Sequence, residues 1–430
     1  MVAARGTLEA ERRGVARPVR LLAELTVVFL LVWLPFQAPV VAILYQYAGV
    51  PAEAARLLVL AKDAVTAGAF ALLLLALARH VRWSRLDLLA AVYVGLLLVY
   101  AVVPTLLGAD VPLQSIAASL RTFVIPVELF YIGRLASAAG VSTSRSVTIF
   151  LGVAIVAAGL LLAQYLLTGP EFWMTTIDLV GYVREVQGIP GADTLWSISA
   201  LGHFGVGDIA VFPRAIGTFT HPVGAAHFFL VPLVLSVALA LLRRTARPAW
   251  ARHPLVPVAL VLLFALAVIT PISRGAWIAA ATGVLLVGLL AARLRLALAG
   301  LVVAGLFIAL VPPFSYSVLS AVGLTDSSTV GHLLAIQEGI KVLVEQPLGV
   351  GAGGSDHLPA LGTAGTGGDS GSVGESMYLA TLAVAGPLGL MALVGWAGGI
   401  MASLIPRDRP RSWIHVGLFA VFVGILMSSA

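Results

Sequence analysis

Between two long apolar runs the chain opens with Pro312-Pro313, passes the helix-start cluster Asp326-Ser327-Ser328-Thr329, and enters His332-Leu-Leu-Ala-Ile-Gln-Glu-Gly-Ile-Lys-Val-Leu-Val-Glu-Gln346. It breaks at Pro347 into Leu-Gly-Val-Gly-Ala-Gly-Gly354, runs on through Gly/Ser/Thr-rich sequence, and turns apolar again after Glu375-Ser-Met-Tyr-Leu. Leu333, Ile336, Ile340, Leu343 and Val344 form an apolar stripe at helical spacing, while Glu338, Lys341 and Glu345 share another face. A connection this long is functional more often than it is linker, and this one carries its own amphipathic helix. That helix is too short and too polar to cross a membrane, so it is expected along an interface.

Outward from this segment the chain is apolar. Its 430 residues are 60% hydrophobic and 11% charged, with a mean hydropathy of +1.03. A soluble domain carries about 25% charged residues, so the composition is that of an integral membrane protein. Apolar stretches at 21–48, 57–78, 86–107, 118–136, 146–167, 219–242, 254–271, 275–292, 296–311, 377–404 and 413–430 are near the ~20 residues a spanning helix needs. The expected fold is all-α and polytopic, with eleven spans, or twelve if a further one follows Ala430. The ten-residue alternation of an outer-membrane barrel is absent. Pro35 and Pro39 make the first run a candidate for a kink or a half re-entrant path, and Arg121, Pro126 and Glu128 make the fourth the least regular.

Basic residues orient these spans. With the N-terminus in the cytoplasm, Arg5, Arg12, Arg13, Arg17, Arg20, Arg79, Arg82, Arg85, Arg134, Arg145, Arg243, Arg244, Arg247, Arg252, Arg293, Arg295, Arg407, Arg409 and Arg411 all fall inside. These are nineteen of the 26 Lys and Arg residues. Arg56, Lys62, Arg121, Arg184, Arg214, Arg274 and Lys341 remain for the outer half. The chain therefore divides into a basic cytoplasmic tail (1–20), a membrane bundle (21–311) with an outer loop at 168–218, a large outer loop (312–376) and C-terminal helices (377–430). The net charge of +6 follows this topology, so no nucleic-acid partner is expected. The inner loops are short and no G-x-x-x-x-G-K-[ST] occurs, which places any chemistry outside and independent of bound ATP. Without cysteine there is no disulfide or thiolate metal site.

Chemistry-bearing residues are few. Arg214, in Phe212-Pro-Arg-Ala-Ile-Gly-Thr-Phe-Thr-His-Pro, stands where the topology rule depletes basic residues, and a guanidinium suits phosphate oxygens. Its plainer role is snorkelling, or pairing with a carboxylate such as Asp208. Arg274, in Thr270-Pro-Ile-Ser-Arg-Gly-Ala-Trp, sits at a helix start, where a cation opposes the helix dipole but a bound anion is favoured. Arg184 is flanked by Glu185 and reads first as a salt bridge. Phe172, Trp173, Tyr182, Trp196, Phe204 and Phe212 are sugar-stacking candidates or interface anchors. Histidines 203, 221, 332 and 357 lack metal-ligand spacing, and His221 precedes Pro222 as the N-cap of the sixth span. Gly349, Gly351, Gly353 and Gly354 permit a turn whose amides are candidates to cradle phosphate. Glu375 stands just outside the tenth span, where it is a candidate base or a helix-start carboxylate.

Arg214-Ala-Ile-Gly-Thr-Phe-Thr-His-Pro, Ser273-Arg274-Gly-Ala-Trp, Gly331-His332…Pro347-Leu-Gly-Val-Gly and Glu375-Ser-Met-Tyr-Leu…Gly386-Pro-Leu-Gly occur in the order seen in the O-antigen ligase/polymerase family, which the chain resembles over about residues 210–405. The resemblance implies a GT-C-like glycosyltransferase of the bacterial inner membrane that needs no cofactor. It would take a glycan from an undecaprenyl-diphosphate carrier, on the outer (periplasmic) face, to lipid A core or to another lipid-linked repeat unit. It also implies that Arg214 and Arg274 hold the diphosphate, with Arg184 a further candidate. His332 stands where many members carry Arg, and Glu375 where ligases carry His followed by Asn, which leans toward a polymerase. No Asp-x-Asp occurs to bring a metal to the diphosphate, so Arg would neutralise the leaving group and one base, Glu375 or else His332, would take the acceptor proton. Other classes remain open. A secondary transporter or lipid-linked-glycan flippase would use midplane ionisable residues, for which Glu24, Lys62, Asp63 and Glu128 are the candidates. A polyprenyl-dependent enzyme of the peptidoglycan-building type shares the topology without these motifs.

Overall fold

The computed structural model describes residues 14–106, 113–169, 172, 176–187, 203–206, 209–242, 247–324, 327–352, 377–405 and 412–428. It is helical apart from one antiparallel hairpin, β1 (His203–Val206) with β2 (Ile209–Pro213). The helices are α1 (Arg17–Tyr47), α2 (Ala52–Leu77), α3 (Arg85–Leu106), α4 (Leu113–Ala138), α5 (Thr143–Ala163), α6 (Pro222–Leu241), α7 (Leu255–Ile269), α8 (Arg274–Leu290), α9 (Leu294–Leu310), α10 (Pro312–Val322), α11 (Ser327–Glu345), α12 (Met377–Leu404) and α13 (Trp413–Ser428). Among the described residues seven are long and apolar enough to cross a membrane: α1 to α6, with α5 lengthened by a π turn to Thr168, and α12. An eighth arises if α9 and α10, bent by 90° at their junction, form one span; α7, α8 and α13 are shorter apolar helices. This is the make-up of a multi-pass membrane protein.

α6 is apolar on every side and is accordingly wrapped by α5, α7, α8 and α13. It starts at an N-cap, His221, whose Nδ1 accepts the Val223 amide at 3.2 Å, with Pro222 at N1. Small residues set the close approach around it. A Cβ at Gly283 of α8 would stand 2.7 Å from Val234, and one at Gly424 of α13 would stand 2.6 Å from the Ala279 carbonyl.

The two doubtful runs are both helices. α1 is continuous through Pro35 and Pro39 for 31 residues, so neither a re-entrant path nor a break is seen. At 1.5 Å per residue it is longer than the ~30 Å hydrocarbon core, and its C-terminal end holds the segment 176–187. There Tyr45 donates to the Glu185 carboxylate and Tyr47 to the Thr176 carbonyl. α4 runs through Arg121, Pro126 and Glu128, with Arg121 Nε 2.8 Å from Asp63 Oδ2 on α2.

The segment 312–352 differs from expectation in one respect. Its first part is not loop: the two prolines start α10, with Pro at N1, and the sharp bend after α9 follows from proline's fixed φ. α11 follows as expected, with Leu333, Ile336 and Ile340 exposed. It packs on α12, where Gly339 faces Leu379, so it is α10 rather than α11 that meets the arginines described below.

Proline chemistry explains where this segment ends. In α3, Pro104 has no N–H for the Tyr100 carbonyl, and in α12 Pro387 has none for the Ala383 carbonyl. Gly386 leaves helical geometry altogether (φ 59°, ψ −165°), which also frees the Val384 carbonyl. The loop supplies all three donors: Ala352 N to Tyr100 O at 3.1 Å, Val350 N to Ala383 O at 2.8 Å, and Gly351 N to Val384 O at 3.0 Å. Gly349 N bonds to Gln346 O. These amides are thus committed to backbone carbonyls, and the expected phosphate cradle at Gly349 and Gly351 is not formed; Gly353 and Gly354 lie outside the described residues. Contact between the two backbones requires glycine on both sides. Gly349 (φ 88°) and Gly386 each have positive φ, and a Cβ on either would lie within 2.8 Å of the other's strand.

Gly386→Ala should therefore destabilise the protein by about 1–3 kcal/mol. It is expected to lower the temperature at which the monodisperse peak is lost on heating in detergent, and an unchanged temperature would refute the lock.

Candidate functional site

The two arginines singled out from the sequence are brought to one turn. The chain leaves β2 as Arg214-Ala-Ile-Gly-Thr218 and lies against the end of α5, where Gln164 opens a π turn (Gln164–Thr168). Gln164 is buried, and its Oε1 accepts the amides of Ile216 (3.1 Å) and Gly217 (2.7 Å). Gly217 has φ 58° and abuts Leu161, so a side chain fits neither the angle nor the space.

From this docked segment Ala215 N reaches the Thr270 carbonyl at 3.3 Å. Arg214 then grips the turn that follows α7: Nε donates to Pro271 O at 2.9 Å and Nη2 to Ile272 O at 3.3 Å. The turn is strained. Ile272 has φ 53°, a left-handed angle that a β-branched residue rarely adopts, and it is held there with its side chain buried against Ile269 and Phe314. Ser273 is the N-cap of α8 but makes no side-chain capping bond. Arg274, the first residue of α8, places its cation at the positive end of the helix, and its Nη1 reaches the Ser317 carbonyl of α10 at 3.2 Å.

Four buried polar atoms in this network have no hydrogen-bond partner among the described residues: Gln164 Nε2, Thr218 Oγ1, Thr270 Oγ1 and Ser317 Oγ. Buried polar groups are paired in the great majority of cases, so a group of orphans around two arginines and a strained turn marks a region not built for stability alone. The turn gathers two guanidinium groups, the start of α8 and neutral polar side chains, group types whose chemistry suits an oxyanion.

Arg184 belongs to a different cluster. It pairs with Glu185 at 3.0 Å, as the plainer reading held, and Glu185 also accepts from Tyr45. Arg56 of α2 ties the same segment down by donating to the carbonyls of Glu185 and Val186, both at 3.0 Å. The Tyr45 hydroxyl, and after it the Arg184 guanidinium, hold the Glu185 carboxyl below its ordinary pKa. Glu375, Asp208 and His357 lie outside the described residues, as does the side chain of His332, whose backbone is in α11. Among the described residues no three His, Asp or Glu side chains come together to hold a metal ion.

Sequence reasoning missed Gln164 and Ser317. Gln164 was legible as a polar residue inside an apolar run, and Ser317 only through recognition of α10. Comparison with known proteins adds no relative: no family model, no curated protein and no solved structure matches the chain.

Replacing an orphan hydroxyl by an apolar isostere removes an unmet desolvation cost. Thr270→Val and Ser317→Ala are expected to raise heat stability by about 1 kcal/mol each; a loss of similar size would show that the hydroxyls have partners. The Glu185 contact gives a pH prediction. A depressed folded-state pKa means that the contact stabilises above the ordinary carboxylate range and is lost as pH falls through the folded value. Protease sensitivity of the 176–187 segment should rise on acidification, and Glu185→Gln should remove that dependence.

Proposed function

We propose that the chain is a membrane glycosyltransferase of the O-antigen ligase/polymerase type. It moves a glycan from an undecaprenyl-diphosphate carrier to a sugar hydroxyl on the outer face of the bacterial inner membrane. One observation carries the reading: Arg214, 60 positions earlier in the sequence, grips with two donors the strained turn Thr270–Arg274 that ends in Arg274. Of the motifs behind the resemblance, Pro347-Leu-Gly-Val-Gly meets Gly386-Pro, and Arg214-Ala reaches Thr270, Pro271 and Ile272, the residues directly before Ser273-Arg274. In this reading α7, α8, α13 and the α9–α10 pair also span, giving eleven spans in a GT-C-like bundle with the N-terminus inside and the arginine turn outside.

The chemistry asked of the chain is modest. The acceptor oxygen attacks the anomeric carbon, the bond from that carbon to the diphosphate oxygen breaks, and the diphosphate leaves with the electron pair. Arg214 and Arg274 neutralise the charge that develops there, and Glu375, or else His332, takes the hydroxyl proton. Loss of one such donor costs about 10²–10³ in rate. Arg214→Ala and Arg274→Ala are therefore expected to abolish glycan extension while the protein still inserts and stays monodisperse.

The deciding assay incubates purified protein with lipid-linked repeat units, with and without lipid A core. A ladder without core acceptor is the expected, polymerase outcome, and product only with core identifies the ligase. No product under either condition, or wild-type extension by both arginine variants, overturns the proposal. A transporter or flippase is the reading of another class, and a lack of product accompanied by movement of the lipid-linked unit across vesicles would establish it.

A further inference from the structure

A second charged constellation lies away from the arginine turn, between α2 and α4. Lys62 and Asp63 are the eleventh and twelfth residues of the 26-residue α2, and Arg121 is the ninth of the 26-residue α4. At 1.5 Å per residue both cations lie about 12–15 Å along their helices. Helices of this length overshoot a ~30 Å hydrocarbon core by only about 5 Å at each end. The charges are thus about 7–10 Å inside the apolar layer, in the leaflet where both helices begin.

Their pairing is incomplete. Asp63 stands 2.8 Å from Arg121 Nε and 3.6 Å from Lys62 Nζ, so one carboxylate faces two cations. Arg121 Nε is the close ion-pair partner of Asp63 Oδ2, and among the described residues no hydrogen bond to that oxygen is formed. Lys62 also donates to the Val59 carbonyl at 3.1 Å, an acceptor it shares with Gln37 of α1. Glu128, the other carboxyl facing this region, is two turns further along α4 and forms no ion pair with either cation among the described residues. Lys62, Asp63 and Arg121 together carry one net positive charge, with Glu128 the second carboxyl of the region, and the Arg121 side chain is 44% exposed. Around it α2 presents Leu57, Leu60 and Val65 outward, as a lipid-facing helix does.

An exposed guanidinium at this depth needs an acceptor that the apolar layer does not provide. We propose that the groove between α2 and α4 binds the phosphate of an anionic membrane phospholipid, drawn below the headgroup plane, with its acyl chains along the outward leucines of α2. Charge sign, the planar fork of Arg and the flanking apolar surface favour this occupant, since a lipid brings a phosphate and chains together. Lys62 supplies the second cation, and Asp63 orients Arg121 while limiting affinity. This site is independent of the glycosyl-transfer reading.

The test reconstitutes the full-length protein in nanodiscs of equal phosphatidylglycerol and phosphatidylcholine and measures the lipid that stays bound on extraction. Wild type is expected to retain phosphatidylglycerol preferentially. Arg121→Gln and Lys62→Gln should each lower that preference about fivefold, and Asp63→Asn should raise it. Excess inorganic phosphate should not displace the lipid. The proposal is overturned if retention matches the bulk ratio, if the variants match wild type, or if free phosphate competes. Asp63→Asn tests a gain, so the experiment stands even if a cation variant fails to fold.

Discussion

An unpaired backbone carbonyl inside an apolar layer has nowhere to turn, and this molecule has several such carbonyls of its own making. Pro104 and Pro387 each remove a helical donor, and the break at Gly386 frees a third acceptor. The amides of Val350, Gly351 and Ala352 satisfy all three. This fixes the far end of the segment that starts at Pro312, since its near end is the bend after α9. α10 and α11 lie in sequence between these two features.

The arginine turn solves the same problem by other means. Where α7 ends and α8 has not begun, the carbonyls of Pro271 and Ile272 lack helical donors, and Arg214 provides them. The two regions differ in completeness. The Pro/Gly lock leaves none of its three carbonyls unpaired, whereas the arginine turn keeps a strained isoleucine and is ringed by orphan hydroxyls. Strain and unmet hydrogen bonds persist where function opposes stability, and this contrast, more than the arginines alone, singles out the turn.

Much of this was legible in the sequence. Each apolar run corresponds to a helix, including α4, because burial of an apolar stretch is a local property that composition and length report. Asp63 makes α4 tolerable in its charged part, a long-range pairing with no local signature. The glycine loop misled for a related reason. Gly349 and Gly351 do mark a close approach to backbone, but sequence could not say whether the backbone approached a phosphate or another helix. α10 was hidden because Pro312-Pro313 reads equally as a loop and as a first helical turn.

Alone, then, the sequence determined that this is a multi-pass helical membrane protein with an amphipathic helix outside its apolar runs, and that Arg214 and Arg274 are unusual. Those conclusions need only the hydrophobicity of successive residues and the cost of a charge near lipid. The tertiary structure decided which carbonyls Arg214 grips, that α10 rather than α11 faces Arg274, and that Arg184 belongs to the cluster at Tyr45 and Arg56. Each of these depends on a donor and an acceptor far apart along the chain, and no local pattern records which distant group will satisfy a given one.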